Sequence, residues 1–124
     1  MIRILIAEDN ASVRSALRVC VELNPSCKVC GKADNGEDAV VFAGQLKPDV
    51  VLLDYAMPVM NGLEAARLIS SSLPQCVLIL FTIFASRQLI ALAHQAGVRQ
   101  VISKDGGSIH ALMRAIDMIS GKAA

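Results

Sequence analysis

The sequence predicts one doubly wound α/β domain, in which parallel strands alternate with helices that cover both faces of the sheet. Five short apolar runs alternate along the chain with segments whose apolar residues recur at helical spacing. Three of these runs are almost wholly apolar, as strands buried on both faces are. The composition, 54% hydrophobic but only 3% aromatic, indicates an aliphatic core, and 124 residues allow one such domain.

The predicted strands coincide with the five apolar runs. Their bounds are Ile2 to Ala7, Lys28 to Ala33, Val50 to Leu53, Val77 to Thr82 and Val98 to Ser103. The first, third and fourth runs are the most continuous, which predicts that they form the central strands. Apolar residues after each run recur every three or four positions, which predicts an amphipathic helix there.

Two of the predicted helices carry recognisable end signals. Asn61 and Glu64, just after Pro58, form a capping pair that predicts the start of the third helix. Gly97, directly after Ala96, is placed to end the fourth helix. Strict alternation with short connections implies right-handed crossovers. Rossmann-type and flavodoxin-type strand orders both remain open on this pattern, and in either a site belongs at the carboxyl ends of the strands.

Charge and hydropathy exclude several classes of function. The formal net charge of +1 gives no electrostatic footprint for nucleic acid. No apolar run is long enough to span a bilayer, and the first residues lack the layout of a signal peptide. The expected location is therefore the cytoplasm, with no membrane partner.

The four cysteines do not predict a zinc site or a disulfide. Cys27 and Cys30 lie three residues apart at a predicted strand, so their side chains are expected on opposite faces of the sheet. Cys20 and Cys76 fall in helical and strand-core patterns and are interpreted as small buried hydrophobes. We expect all four thiols to be reduced.

Polar residues stand at the carboxyl ends of four predicted strands. Glu8 and Asp9 follow the first strand, Asp54 follows the third, Thr82 ends the fourth, and Lys104 follows the fifth. Three carboxylates at one edge repel one another unless a cation is bound or a proton is taken up. Oxygen ligands of this kind suit Mg²⁺. Lys104 and Thr82 offer donors to phosphoryl oxygens, so the set indicates a carboxylate that accepts a phosphoryl group.

Other phosphate chemistries fit this pattern less well. A dinucleotide site needs a glycine-rich turn after the first strand, where the acids of this chain repel a pyrophosphate. Haloacid-dehalogenase-like phosphatases share an aspartate nucleophile, Mg²⁺, threonine and lysine. They carry the nucleophile as D-x-D after the first strand and have a larger cap, whereas here the candidate nucleophile, Asp54, follows the third strand.

Over essentially its whole length, 1–124, the sequence resembles the receiver domain of a two-component response regulator. The motifs that carry the resemblance are Leu5-Ile6-Ala7-Glu8-Asp9-Asn10, Asp54-Tyr55-Ala56-Met57-Pro58 with Asn61-Gly62, Thr82, and Lys104-Asp105. The resemblance implies a flavodoxin-like (βα)5 fold with a doubly wound parallel sheet of strand order 2-1-3-4-5. It further implies a phosphorelay switch that catalyses only its own phosphorylation and dephosphorylation.

The resemblance also implies a role for each site residue. Asp54 would be the phosphoacceptor, taking a phosphoryl group from a sensor histidine kinase. Asp9 and Asp54 would bind Mg²⁺ directly together with the backbone carbonyl of Ala56, and Glu8 would act through water. Thr82 and Lys104 would hold the phosphoryl oxygens and shift on activation.

A subfamily is suggested as well. Lys104-Asp105 and the run from Ala111 to Ile116 are similar to regulators of the LuxR/NarL type. That likeness implies transcription as the output, through a C-terminal DNA-binding domain absent from 1–124, and a homodimer that forms on phosphorylation. No nucleic acid would bind through the receiver domain itself.

Three positions depart from the usual pattern of the family. Val101 stands where an aromatic residue is common, Glu8 replaces the commoner aspartate, and Phe84 stands where smaller residues are frequent. Two alternative functions remain open: a pseudo-receiver that acts by protein contacts alone, and a small Mg²⁺-dependent phosphatase. The intact set of acids, hydroxyl and lysine favours the phosphoacceptor.

Overall fold

Residues 1–105 and 108–120 are described by this computed structural model, and they form five strands and five helices in strict alternation. The strands are β1 Ile2–Ala7, β2 Cys27–Ala33, β3 Val50–Leu53, β4 Val77–Thr82 and β5 Val98–Ser103. The helices are α1 Ala11–Glu22, α2 Gly36–Leu46, α3 Gly62–Ser72, α4 Arg87–Gln95 and α5 Ser108–Ser120. Strand β2 begins one residue earlier than predicted because Cys27 pairs with Ile2 of β1; the other strand bounds agree with the prediction.

The strands form one parallel sheet in the order β2-β1-β3-β4-β5. This order confirms the flavodoxin-like fold and excludes the Rossmann-type order that the pattern had left open. Because all strands run in one direction, the residues at their carboxyl ends share one edge of the sheet, called here the carboxyl edge. The opposite edge, where the strands begin, is called the amino edge.

The core has two layers, one on each face of the sheet. Helices α2, α3 and α4 cover one face and α1 and α5 cover the other. Successive strand residues point to opposite layers, as Leu5 and Ile6 of β1 do. The central strand β3 is buried along its whole length, which explains its continuous apolar sequence.

The predicted helix ends are present. The side chain of Asn61 accepts a hydrogen bond from the backbone N–H of Glu64 at 2.9 Å and caps α3. Gly97 follows the C-cap of α4 with a φ of 99°, a conformation that favours glycine. A Cβ at Gly97 would also lie 2.2 Å from Oγ of Ser70, so the position requires glycine on two grounds.

The cysteines are less uniformly buried than predicted. Cys27 is buried, whereas Cys20, Cys30 and Cys76 are half-buried, and these four described residues form no disulfide. Cys76 lies just before β4 and packs against the core at the amino end of that strand, which explains its partial exposure. Burial raises the pKa of Cys76 to about 11, which keeps that thiol protonated at neutral pH.

Within the described ranges, no helix combines the length and apolarity needed to cross a bilayer.

Candidate functional site

The carboxyl edge brings the three predicted carboxylates into one group. Glu8 and Asp9 follow β1, and Asp54 follows the adjacent strand β3. Each offers a carboxylate oxygen, and these oxygens lie within 4.8 Å of one another. Glu8 is 2% exposed and Asp54 is 8% exposed, whereas Asp9 lies at the surface. The group therefore has two buried acids and one open side through which a cation can enter.

Lys104, from the loop after β5, reaches across to this group. Its Nζ donates hydrogen bonds to Oε1 of Glu8 and, at 3.1 Å, to Oδ2 of Asp54. The backbone N–H of Lys104 donates to the carbonyl of Thr82 at 2.9 Å, which holds the start of that loop against β4. The ammonium also lies 5.7 Å from the centroid of the Phe81 ring. Three carboxylates thus face one lysine.

The two carboxylate oxygens of Asp54 have different surroundings. Oδ2 accepts the hydrogen bond from Lys104. Among residues 1–105 and 108–120, Oδ1 is a buried side-chain oxygen that lacks a hydrogen-bond partner. A buried charged acceptor without a donor is unfavourable for folding. The donor set fits a divalent cation, because oxygen ligands of negative charge are what Mg²⁺ prefers.

Burial and hydrogen bonding shift the pKa values of Glu8 and Lys104. Burial raises the pKa of Glu8, and the hydrogen bond from Lys104 offsets only part of that effect. Burial by itself lowers the pKa of Lys104, but its hydrogen bond with Glu8 and the charge of Asp54 outweigh burial and raise the pKa. Glu8 therefore takes up a proton more readily than an exposed glutamate does, and Lys104 keeps its positive charge to higher pH.

Thr82 ends β4 with a fully buried side chain. Its Oγ1 accepts a hydrogen bond from the backbone N–H of Phe84 at 3.2 Å, which leaves the hydroxyl proton available to another acceptor. The Phe84 ring is 51% exposed and packs edge-on against the ring of Tyr55, with centroids 6.2 Å apart. Val101, in place of the common aromatic residue, is half-buried against the core.

The loop from Asp54 to α3 is held close by a glycine. The N–H of Gly62 donates to the carbonyl of Tyr55 at 2.8 Å. A Cβ at this position would lie 2.1 Å from the carbonyl oxygen of Asp54, so the loop can close only over glycine. Ala56, the predicted carbonyl ligand, lies exposed two residues after Asp54 in the same loop.

The same loop contains a strained residue. Val59 has a φ of 70°, and the N–H of Met60 donates across it to the carbonyl of Pro58 at 2.7 Å. This γ-turn places a β-branched residue where positive φ is disfavoured. The sequence offered no signal for it, because valine is not a turn former.

One residue beside the site was missed at the sequence level. A guanidinium N–H of Arg14 donates to the backbone carbonyl of Glu8 at 2.7 Å. A bond from a side chain to a carbonyl six residues earlier leaves no pattern in the sequence.

Several known proteins are similar to this chain in sequence and in fold. The family profile of the response regulator receiver domain matches residues 4–117. The transcriptional regulatory protein LnrK of Bacillus subtilis is 40% identical over 105 residues, which are 85% of this chain and 48% of that protein. The protein-glutamate methylesterase/protein-glutamine glutaminase of Thermotoga maritima is 35% identical over 117 residues, 94% of this chain and 34% of the relative.

A solved structure agrees with these relatives. The crystal structure of a DNA-binding response regulator of the LuxR family from Staphylococcus aureus has a TM-score of 0.87 and 28% identity, and the match covers 96% of this chain and 98% of that one. The chain spans about half the length of LnrK and a third of the methylesterase, so the likeness concerns one domain of each. The chain belongs to the response regulator receiver domains of two-component systems, and its likenesses identify it as one of the LuxR/NarL type.

Proposed function

We propose that Asp54 accepts a phosphoryl group from a sensor histidine kinase and that this modification switches the domain between two states. The observation that carries the proposal is the asymmetry of the Asp54 carboxylate. Oδ2 accepts a hydrogen bond from Lys104, while Oδ1 is buried and has no partner among the residues that the structure describes. A carboxylate with one oxygen bonded to an ammonium and the other suited to a divalent cation has the charge neutralisation that a phosphoryl acceptor needs.

The transfer is a nucleophilic displacement at phosphorus. A carboxylate oxygen of Asp54 forms a bond to phosphorus while the P–N bond to the donor imidazole breaks, and the imidazole keeps the electron pair and takes up a proton. Little covalent chemistry is needed from the protein, so positioning and charge stabilisation decide the rate. Lys104 and the free hydroxyl proton of Thr82 are the donors available for the phosphoryl oxygens.

Asp9, Asp54 and the backbone carbonyl of Ala56 would hold a Mg²⁺ ion directly, with Glu8 acting through water. Glu8, Asp9 and Asp54 form the group of carboxylate oxygens within 4.8 Å of one another. Bound there, the ion would supply positive charge to offset the carboxylates and the incoming phosphoryl oxygens. Lys104 alone does not offset the charge of three carboxylates. This excess negative charge supports the proposal that a divalent ion binds here.

The test is intact-mass analysis after incubation with acetyl phosphate. We expect the mass of one phosphoryl group to be gained with Mg²⁺ but not in excess chelator, and Asp54→Asn to prevent the gain. Asp49→Asn is the matched control, since Asp49 lies at the amino edge and accepts a bond from the backbone N–H of Arg3. An adduct that forms in excess chelator, or equally on Asp54→Asn, would contradict the proposal. A folded protein that gains no mass would instead favour a pseudo-receiver.

We further propose that residues 1–124 act as the receiver of a transcription regulator and form a homodimer when phosphorylated. LnrK, a transcriptional regulatory protein, supports the output. Exposed apolar side chains on α1 and α5, among them Val19 and Met118, support an interface between copies. The measurement is sedimentation of the protein with and without acetyl phosphate and Mg²⁺. A phosphorylated protein that stays monomeric at every concentration would contradict the dimer.

A further inference from the structure

Arg14 lies in the first turns of α1, and its side chain folds back over the turn between β1 and α1. Its guanidinium donates to the carbonyl oxygen of Glu8 at 2.7 Å, and the pair is partly buried. The acceptor is a neutral backbone carbonyl rather than a carboxylate. The contact therefore fixes the path of the chain at Glu8 instead of neutralising its side chain.

Other hydrogen bonds hold the two ends of the turn between β1 and α1 in place. The N–H of Glu8 donates to the carbonyl of Ala33 at 3.0 Å, which continues the pairing of β1 with β2. The N–H of Asn10 donates to Oε2 of Glu8 at 3.2 Å, and the side chain of Asn10 caps α1 at Val13. The Arg14 guanidinium adds the bond at the Glu8 carbonyl, where the chain turns away from the sheet.

Asp9 occupies the middle of this turn. It is exposed, yet its carboxylate lies within 4.8 Å of those of Glu8 and Asp54. The peptide between Glu8 and Asp9 contains the carbonyl that Arg14 holds, so that bond sets the direction in which Asp9 leaves the strand. Loss of the bond frees this peptide to rotate and lets Asp9 move away from Asp54.

We propose that Arg14 is a positioning residue for a divalent cation: by holding the Glu8 carbonyl it preorganises Glu8 and Asp9 against Asp54. This inference rests on the proposed function, since it supposes that the cation binds this group. Groups that orient metal ligands without touching the metal commonly raise its affinity by about one to two powers of ten.

The positive charge of Arg14 and its positioning role predict opposite effects of this side chain on cation affinity. A guanidinium close to the carboxylates repels an incoming cation, so on charge alone its removal strengthens cation binding. Positioning predicts that its removal weakens binding. The sign of the change therefore separates the two roles of the side chain.

The experiment compares Arg14→Met with Arg18→Met. Arg18 lies one turn further along α1 and pairs with the exposed Glu22 at 3.2 Å, so both variants lose one positive charge from the same helix. Mg²⁺ is titrated against each protein, and binding is followed by the fluorescence of Tyr55, the one tyrosine in a chain without tryptophan. Hydrogen exchange of the Asp9 and Asn10 amides is measured without metal, together with the urea midpoint.

We expect Mg²⁺ to bind Arg14→Met about tenfold more weakly than wild type, with faster exchange of the two amides. Arg18→Met should match wild type, and Arg14→Lys should recover part of the affinity because its ammonium can donate to the same carbonyl. Equal or tighter binding by Arg14→Met, or unchanged exchange, would overturn the positioning role. If wild type itself bound no Mg²⁺, the proposed function would fail, while amide exchange would still decide whether Arg14 orders the turn.

Discussion

The two edges of the sheet differ in how their polar side chains are hydrogen-bonded. At the amino edge, the Arg3 guanidinium donates to the carbonyls of Leu46 and Lys47 at 2.7 and 3.1 Å, where α2 ends. Asp49 accepts from the N–H of Arg3 at 2.8 Å and donates its own N–H to the Arg3 carbonyl at 2.9 Å. At the carboxyl edge, one buried oxygen of Asp54 has no hydrogen-bond partner within the described part of the chain.

The difference separates residues that stabilise the fold from residues kept for a ligand. Arg3 and Asp49 satisfy backbone groups that would otherwise face water or remain unpaired at the ends of elements. The three acids of the carboxyl edge share one ammonium, that of Lys104, and the carboxylate charge in excess of it is repulsive until a further cation binds. Active sites commonly retain such unfavourable groups, and the rest of the domain offsets their cost.

The largest expected effect tests whether Lys104 belongs to the fold as well as to the site. Its side chain is 16% exposed and bonded to Glu8 and Asp54. Without Mg²⁺, we expect Lys104→Met to lower the free energy of unfolding by about 3 kcal/mol, because two buried carboxylates lose their cation. Urea unfolding measures the change, and Mg²⁺ should restore part of it. Lys32→Met, at an exposed position, is the control; equal stability of the two variants would contradict the prediction.

A second substitution probes the amino edge by itself. Arg3→Met removes both bonds to the end of α2, and we expect it to lower the free energy of unfolding by about 2 kcal/mol. The rate of phosphorylation by acetyl phosphate should not change. Arg67→Met, on the exposed side of α3, controls for loss of a charge. If Arg3→Met slowed phosphorylation in folded protein, the two edges would not be independent.

Substitutions of Thr82 test whether one hydroxyl contributes both to the stability of the fold and to phosphorylation. Thr82→Val keeps the shape of the side chain but leaves the partly buried N–H of Phe84 without its acceptor. The expected loss is about 1.5 kcal/mol in the free energy of unfolding, with slower phosphorylation. Thr82→Ser restores a hydroxyl and should recover the rate. Equal rates for the valine and serine variants would show that the hydroxyl serves the fold alone.

The smallest expected effect is a gain of stability at the carboxyl edge. Val59 is 76% exposed and has a φ of 70°, so its side chain contributes little packing to offset the strain. Asparagine tolerates positive φ better, and we expect Val59→Asn to raise the free energy of unfolding by about 0.5 to 1 kcal/mol. Val19→Asn, at an exposed position of α1, should not stabilise. A loss of stability in Val59→Asn would show that the turn is not strained.

Most of the fold was predictable because this architecture leaves strong local signals. Strands β1, β3 and β4 are mostly buried on both faces, so they appear as almost continuous apolar runs. The grouping of Glu8, Asp9 and Asp54 was also predictable, since parallel strands deliver their carboxyl ends to one edge. The strand order was not, because both doubly wound orders share the same alternation; it came from resemblance to a family.

The remaining features depend on contacts that no pattern records. The bond from Arg14 to the Glu8 carbonyl depends on how one flexible side chain folds over a turn. The strain at Val59 depends on the path between two fixed points, Asp54 and the start of α3 at Gly62. The burial of Lys104 depends on two acids that lie far from it in sequence.

The link between Lys104 and Glu8 spans 96 positions of the sequence, so the site is built from opposite ends of the chain. During synthesis, β1 and β3 emerge long before β5, and the acids are exposed without their lysine. A nascent or partly unfolded chain therefore has these carboxylates without the ammonium that bonds to Glu8 and Asp54. Assembly of the complete group therefore depends on formation of β5, the last strand of the sheet.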